Sequence, residues 1–432
     1  MNSLKSSRIF TAAVCMLLFS VLILPSSLSA QESAPLRITP DEAFRMALEN
    51  SRDVWSSMTA MDQAGKAYRW RYLQLLPELK IEGALESRQT DATDWAGGAG
   101  AGVSLVMQAE DLVSLEEKRV KNQQQQAAFR KTTVDFKAEV YTSYFDLVLQ
   151  REEITLRKRQ LQSASDRLEA ARFDYDNGRI SEYEYLSAQL SYEETAPVLK
   201  GKQIGYESAI KRFLLLIGAD TGQEIELTGD LMTAGLFDSA EELPGVLRKT
   251  PLIEQLSAVL RSREVALKKV PLKFLPDLSL SLSRSFSTNI PAGTSSDTSD
   301  GNYSLSIVFN LNDLLPGSQF QTEREAALTS IEDARRQLEN NVEEQEVLLQ
   351  ELLAGIEKSA ADIEAARFKK ELSDRFFSIA ESEYENGRRD LLDLEDADLK
   401  RGEAQLGLLS AVYQRMNLLI ELEKLTGMDL IE

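Results

Sequence analysis

The stretch FDYDNGRISEYEYLSAQ, residues 173–189, has a second version in SEYENGRRDLLDLEDAD, residues 382–398. Both place Tyr, an acid, Asn, Gly and Arg in that order. Both lie in long runs rich in Ala, Leu, Glu, Gln, Lys and Arg, the residues that lose least on entering a helix. Asn-Gly ends such a run, because both residues tolerate the left-handed backbone that a helix reversal needs. Each copy therefore marks a turn between two helices, and the recurrence marks a duplicated chain.

Further landmarks extend the duplication. Tyr175 and Tyr384 are 209 residues apart, as are Gly218 in LLLIGADTG and Gly427 in LEKLTGMDL. Pro77 in LLPELKIEGAL and Pro276 in FLPDLSLSLSR are 199 apart, as are Leu48 and Leu247. Two halves of about 200 residues thus match in order, with about ten residues inserted midway in the second, and such self-similarity is read before anything else. Each half has a helical stretch (40–74 and 244–272), two alternating runs, a very long helical stretch (109–176 and 318–385) and a returning helix (180–217 and 389–426). Gly218 and Gly427 suit helix C-caps.

The alternating runs have period two. Leu79, Ile81 and Leu85 alternate with Lys80, Glu82 and Glu86, and Ala101, Val103, Leu105 and Met107 with Gly102, Ser104 and Val106. Leu278, Leu280 and Leu282 alternate with serines, and Tyr303, Leu305, Ile307 and Phe309 with Ser304, Ser306 and Asn310. One apolar face per run predicts half-buried strands, and roughly nine to eleven residues is also the length of a tilted strand crossing a bilayer. Hairpins on a soluble core and strands in a membrane both fit. A polar loop, TNIPAGTSSDTSDGN (288–302), is expected between the second pair.

The long helices carry heptads. Val140, Leu147, Ile154, Leu161, Leu168 and Tyr175 stand seven apart. Val342, Leu349, Ile356, Ile363, Phe377 and Tyr384 keep the same frame, broken at Lys370. This period keeps one seam against a partner helix. Two shorter helices of about 35 residues each, stacked end to end, match one long helix at about 1.5 Å per residue. Pro77, Pro276 and Pro316 are expected at helix–strand junctions, and Pro197 inside a returning helix. Tyr183 and Tyr185 are expected to pack within the coiled coil.

Composition limits the chemistry. The 432 residues hold 49 basic and 69 acidic side chains, a net charge of −20, which argues against nucleic acid as a partner. No histidine is present, which removes His-based acid–base, nucleophile and metal sites. No Gly-rich phosphate loop is seen, so an enzyme is not expected, nor any cofactor. Lys5 and Arg8, the apolar run Ile9–Leu24 and the small residues up to Ala30 read as a secretory signal peptide, 1–30. Cys15, the one cysteine, lies inside that run, so lipidation and disulfides are not expected after export. The expected organisation is signal peptide 1–30, first repeat 31–243 and second repeat 244–432.

With these elements in order, the mature chain resembles the TolC-like outer membrane factors over nearly its whole length. These proteins are the exit ducts of bacterial efflux pumps and type I secretion systems. The resemblance is carried by ITPDEAFRMALENSRDV (38–54), LLPELKIEGAL (75–85), YDNGRISEYEYLSAQL (175–190), LLLIGAD (214–220) and YENGRRDLLDLEDAD (384–398). It implies a mainly α fold with a transmembrane β-barrel contribution. Long coiled-coil hairpins form an α-barrel, and four strands per protomer are pooled by a homotrimer into twelve. It further implies an outer-membrane location surrounded by lipid and extending into the periplasm. The partners implied are a periplasmic membrane-fusion adaptor and an inner-membrane transporter. The segment 219–243 and the chain ends would form a mixed equatorial region.

By the same resemblance, Asp393 and Asp396, six and nine residues past Gly387, would ring the closed pore as its constriction. Asp390, Glu395 and Asp398 would face elsewhere. Tyr384, Arg389 and Glu184 would form a gate latch, although Glu184 stands where a family example has Asp, and the longer side chain shifts that geometry. The tips with Gly178, Ser181 and Gly387 would contact the adaptor. A soluble periplasmic coiled-coil scaffold or adaptor is the alternative that the heptads and the export signal also allow.

Overall fold

The computed structural model describes residues 36–87, 95–228, 250–290, 298–308 and 318–430. The signal segment with Cys15, Pro316, the boundary between residues 243 and 244, and Phe309 and Asn310 lie outside them. The chain order is β1 (Leu36–Ile38), α1 (Pro40–Asn50), α2 (Arg52–Arg69), a 3₁₀ turn (Arg71–Leu75), β2 (Glu78–Ser87), β3 (Trp95–Met107), α3 (Glu110–Asp176), α4 (Glu182–Ile217) and β4 (Ile225–Leu227). There follow α5 (Pro251–Lys269), a 3₁₀ turn (Val270–Phe274), β5 (Asp277–Ile290), β6 (Thr298–Val308), α6 (Gln319–Glu385) and α7 (Leu391–Thr426). The order β2-β3-α3-α4 recurs as β5-β6-α6-α7.

The long helices fall where the sequence puts them, and α3 and α6 are each 67 residues long. The stretch read as one helix from 40 to 74 is two helices and a 3₁₀ turn. Ser51 ends α1 and caps α2, its side chain accepting from the Val54 N–H, because Ser in extended backbone satisfies a free helix donor. In the second repeat the corresponding helix, α5, has only 19 residues, so the expected pairs of equal short helices are unequal.

End-to-end stacking does hold. At the C-cap of α4, Gly218 has φ 68°, and a Cβ there would stand 2.1 Å from the Cβ of Asn50, the last residue of α1. At the C-cap of α7, Gly427 has φ 70°, and its Cβ would stand 2.9 Å from Cγ of Pro251, the first residue of α5. In both repeats a left-handed glycine lets a returning helix abut the start-side helix.

The heptad positions Val140, Leu147, Ile154, Leu349, Ile356, Ile363 and Phe377 are buried, while Lys370 turns to Asp374 at 3.0 Å. Around Tyr141 the seam becomes an aromatic core. Tyr144 meets Phe145 edge-on at 5.5 Å and Phe213 of α4 at 6.1 Å, and the Tyr141 hydroxyl donates to Asp41. Of the two tip tyrosines, Tyr185 stacks on Tyr175 at 5.3 Å, but Tyr183 is exposed, contrary to expectation, because it points off the seam. Helix α4 runs unbroken through Pro197.

The four longer strands form one antiparallel sheet in the order β2-β3-β5-β6. Register places Leu79 opposite Val103, Val103 opposite Leu282, and Leu282 opposite Tyr303. One face thus gathers leucine, isoleucine, valine and tyrosine, with Arg284 among them, and the other gathers glycine, serine and the charged Glu78, Lys80 and Glu82, with Ser279–Ser306 and Ser281–Ser304 hydroxyl pairs at 2.6 Å. Alternation predicts half-buried strands. Instead Ile81 is 89% exposed, Tyr303 80% and Leu79 78%.

The strands also exceed the alternating runs. β3 begins at Trp95 and includes Gly97, Gly98, Gly100 and Gly102, while β5 and β6 take both ends of the expected loop, to Ile290 and from Thr298. Backbone pairing holds these residues in the ladder without any side-chain pattern to announce it.

A separate small unit pairs β1 with β4 in parallel, joining the segment before α1 to the segment after α4. Its ion pair, Arg37–Glu226, measures 2.9 Å.

Candidate functional site

The two Asn-Gly tips are built alike. In the first, the N–H groups of Gly178 and Arg179 donate to the carbonyls of Tyr175 (2.9 Å) and Asp174 (2.8 Å). In the second, Gly387 and Arg388 donate to Tyr384 and Glu383, both at 2.9 Å. This crossed pair of bonds closes a helix around a left-handed residue, and Gly178 and Gly387 have φ of 68° and 69°. Glycine takes the strained position, while Asn177 and Asn386 keep negative φ and donate Nδ2 to the carbonyls of Phe173 and Ser382 at 2.6 Å. Both glycines are exposed, with open space where a Cβ would stand.

The helices that leave the tips start differently. Ser181 caps α4, and the Glu184 carboxylate reaches back to the Ser181 N–H at 2.7 Å, a capping box. Asp390 caps α7 by accepting from the Asp393 N–H at 2.9 Å. Asp393 occupies the place that Glu184 has in the first tip, but an aspartate carboxylate is one methylene shorter, and its side chain stays exposed. Asp396 is also exposed and pairs with Lys400 one turn on. Both acids lie on one open face of α7.

The three expected latch residues are not joined as a unit. Arg389 pairs with Glu383 of its own tip at 2.8 Å, and Glu184 is engaged in its capping box. Tyr384 lies half-buried between two apolar clusters. One is Ala171, Ala188 and Leu391; the other is Phe377, Ala380 and Leu394. Tyr384 therefore packs the two tips side by side. Burial raises its phenol pKa, Asp174, Glu184 and Glu395 push the same way, and Arg167 opposes.

Sequence reasoning passed over the polar group just above. Asp398 is buried on α7 and accepts from Arg167 of α3 at 2.8 Å and from Arg401 at 2.5 Å. The Arg401 guanidinium lies 3.6 Å from the Phe377 ring centroid. Glu395 is half-buried beside it, its pKa raised by burial and lowered in part by Arg167 and a bond with Ser187. The available signal was spacing. Asp398 continues the buried stripe Leu391, Leu394, so it needs a cation from a neighbouring helix.

Two long hairpins side by side, each tied to a pair of sheet strands, form an architecture that recurs in solved outer membrane channels. Comparisons agree. Residues 247–428 match the family described as outer membrane efflux protein. The second repeat matches that family, and the chain as a whole has the TolC-like fold. The open-state Neisseria gonorrhoeae MtrE outer membrane channel matches with a TM-score of 0.74 at 18% identity, over 91% of this chain and 89% of that one. The Campylobacter jejuni CmeC outer membrane channel matches with 0.71 at 17%, over 89% and 84%. The outer membrane protein VceC from Vibrio cholerae matches with 0.71 at 15%, over 89% and 95%. No curated protein matches the chain. The description of the matched family names an efflux role and an outer-membrane location.

Proposed function

We propose that the chain is the exit duct of a tripartite efflux pump or a type I secretion system, working as a homotrimer. The observation that carries this reading is the sheet. Its apolar face is exposed, its other face carries serine and glycine with the charges of Glu78, Lys80, Glu82 and Asp300, and β2 and β6 are left as open edges. Each apolar side chain gains about 1.5–3 kcal/mol on leaving water, so such a face needs a cover. Open edges cannot stand in lipid, and four strands cannot close on themselves, since a barrel needs about eight. Three chains pooling four strands each satisfy both conditions, with serines toward the lumen and leucines toward lipid. A soluble scaffold leaves the same face in water.

The helical hairpins then continue the lumen into the periplasm, and the tips are its entrance. Asp393 and Asp396 line that entrance, where three-fold symmetry brings six carboxylates together. Lys400 offsets part of the charge at Asp396, so Asp393 carries most of the net negative field. Tyr384, Glu184 and Arg389 serve the closed state, Arg389 by exchanging Glu383 for an acid on a neighbouring tip. Gly178, Ser181 and Gly387 offer the exposed turn surface to the helical hairpin of a periplasmic adaptor. Energy comes from the adaptor's inner-membrane transporter.

Single-channel conductance in a planar bilayer tests the reading. Wild-type protein should give small, cation-selective steps blocked by multivalent cations, and Asp393→Ala with Asp396→Ala should relieve the block. Steps unchanged by the double substitution would remove the aspartates from the constriction. Absence of steps from correctly folded protein would remove the duct.

A further inference from the structure

We propose that the helix–strand junction of the first repeat binds an anionic phospholipid of the inner leaflet, with Arg71 holding the lipid phosphate. The inference rests on the duct reading, which puts the helix-linked ends of the strands at the periplasmic side of the membrane.

The junction presents a cation on an aromatic bed. Arg71 opens the 3₁₀ turn between α2 and β2. Its guanidinium lies 4.2 Å from the Tyr68 ring centroid and 4.4 Å from that of Tyr72. Nη1 donates to the Tyr68 carbonyl and Nη2 to the Tyr72 hydroxyl, both at 2.9 Å. These contacts orient the fork without neutralising it. No carboxylate among the described residues pairs with Arg71, although the chain carries a net charge of −20. A planar fork stacked on rings and still carrying its full charge is suited to a phosphate.

Its place in the fold selects the source of that phosphate. Gln74 of the same turn donates Nε2 to the Asp111 carbonyl at 3.3 Å, which ties the turn to the start of α3. The turn therefore stands where both strands of the first repeat give way to helices. Trp70, Tyr72, Leu73 and Leu76 are exposed around it, and the chain leads directly into the exposed Leu79 and Ile81 of the apolar sheet face. The patch is continuous with the surface assigned to lipid. Tryptophan and tyrosine collect at headgroup level, since each joins an apolar ring to a polar tip. Acyl chains then lie along the β2 side of the sheet, and the phosphate meets Arg71.

The duplication supplies a control within the molecule. The 199-residue offset takes Tyr68, Trp70, Arg71 and Tyr72 to Leu267, Lys269, Val270 and Pro271. The rings are gone and Val270 is buried. The lysines of that junction have acids of their own: Lys268 meets Glu116 at 2.9 Å, Lys269 meets Glu117 at 3.6 Å and Lys273 meets Glu323 at 2.6 Å. Positive charge there is satisfied inside the protein, so each chain has one site.

Native mass spectrometry of the full protein in detergent, titrated with dioleoyl phosphatidylglycerol, tests the site. Wild type should retain a tightly held lipid on each chain, and Arg71→Gln should lower its occupancy several-fold. Arg71→Lys keeps the charge but loses the fork. It should lower occupancy less, and it serves if Arg71→Gln fails to assemble. Arg69→Gln removes a neighbouring exposed cation and should change nothing; an equal loss there would replace the site with diffuse charge. Displacement of the lipid by inorganic phosphate at the same concentration would overturn the lipid as ligand. Loss of chains from the Arg71→Gln particle, with lipid per chain unchanged, would give the patch to a neighbouring copy instead. A detergent-dependent particle whose occupancy is unchanged in both Arg71 variants would overturn the site alone. Wild-type chain that binds no lipid and stays soluble without detergent would remove the duct reading with it.

Discussion

Among the described residues four glycines sit at positive φ, and they do different work. Gly178 and Gly387 turn in open space, while Gly218 and Gly427 turn against another helix end. Gly178→Ala should therefore cost about 1–2 kcal/mol, the strain of a left-handed residue alone. Gly218→Ala should cost more, since its Cβ overlaps Asn50 at 2.1 Å. Urea midpoints compare the two directly, and equal losses would contradict end-to-end stacking. Glu395 gives a pH signature. Burial raises its pKa from the ordinary glutamate value, so the folded state binds that proton more readily than the unfolded one. Its contribution is then most favourable below the unfolded value of about 4.3 and declines as pH rises through the folded value. Glu395→Gln should be more stable than wild type near neutrality, with the advantage disappearing in acid. A difference independent of pH would contradict this. Residues were unevenly legible. The glycines announced themselves by their place at the ends of periodic runs. Asp398 was set aside because an acid in an acidic chain looks like a solvated one, and only its spacing from Leu391 and Leu394 distinguishes it.

At the scale of elements, helix limits were legible and strand limits were not. Heptads, caps and Asn-Gly mark α3, α4, α6 and α7 to within a few residues, because each signal is local to the chain. Ser51 was missed, since a single cap inside an otherwise helical run is easily read through. The Gly- and Ser-rich parts of β3, β5 and β6 are strands because a neighbouring strand pairs with them, and β3 and β5 are distant from each other in sequence. The faces carry a prediction. Leu305 and Ser304 are adjacent on β6 but belong to opposite faces. Leu305→Arg should cost about 2–4 kcal/mol in a bilayer, and Ser304→Arg should cost little. Refolding into lipid vesicles, followed by protease protection, measures both. Equal sensitivity would contradict a lipid-facing leucine row.

At the scale of the whole molecule, the duplication makes one chain two similar hairpins and two similar strand pairs, a design suited to closed rings. What one chain leaves unfinished is the clue to its assembly. The sheet has two open edges and an uncovered apolar face, which the proposed trimer would complete with further copies and lipid. This was legible in the sequence as far as the count of strands, but the gathering of all four into one sheet with a single apolar face appears only in the fold. The most direct measurement is the mass of the particle extracted from membranes, by native mass spectrometry from detergent micelles. Three chains per particle, stable only in detergent, are expected. A monomer that remains soluble after detergent is removed would contradict the pooled barrel.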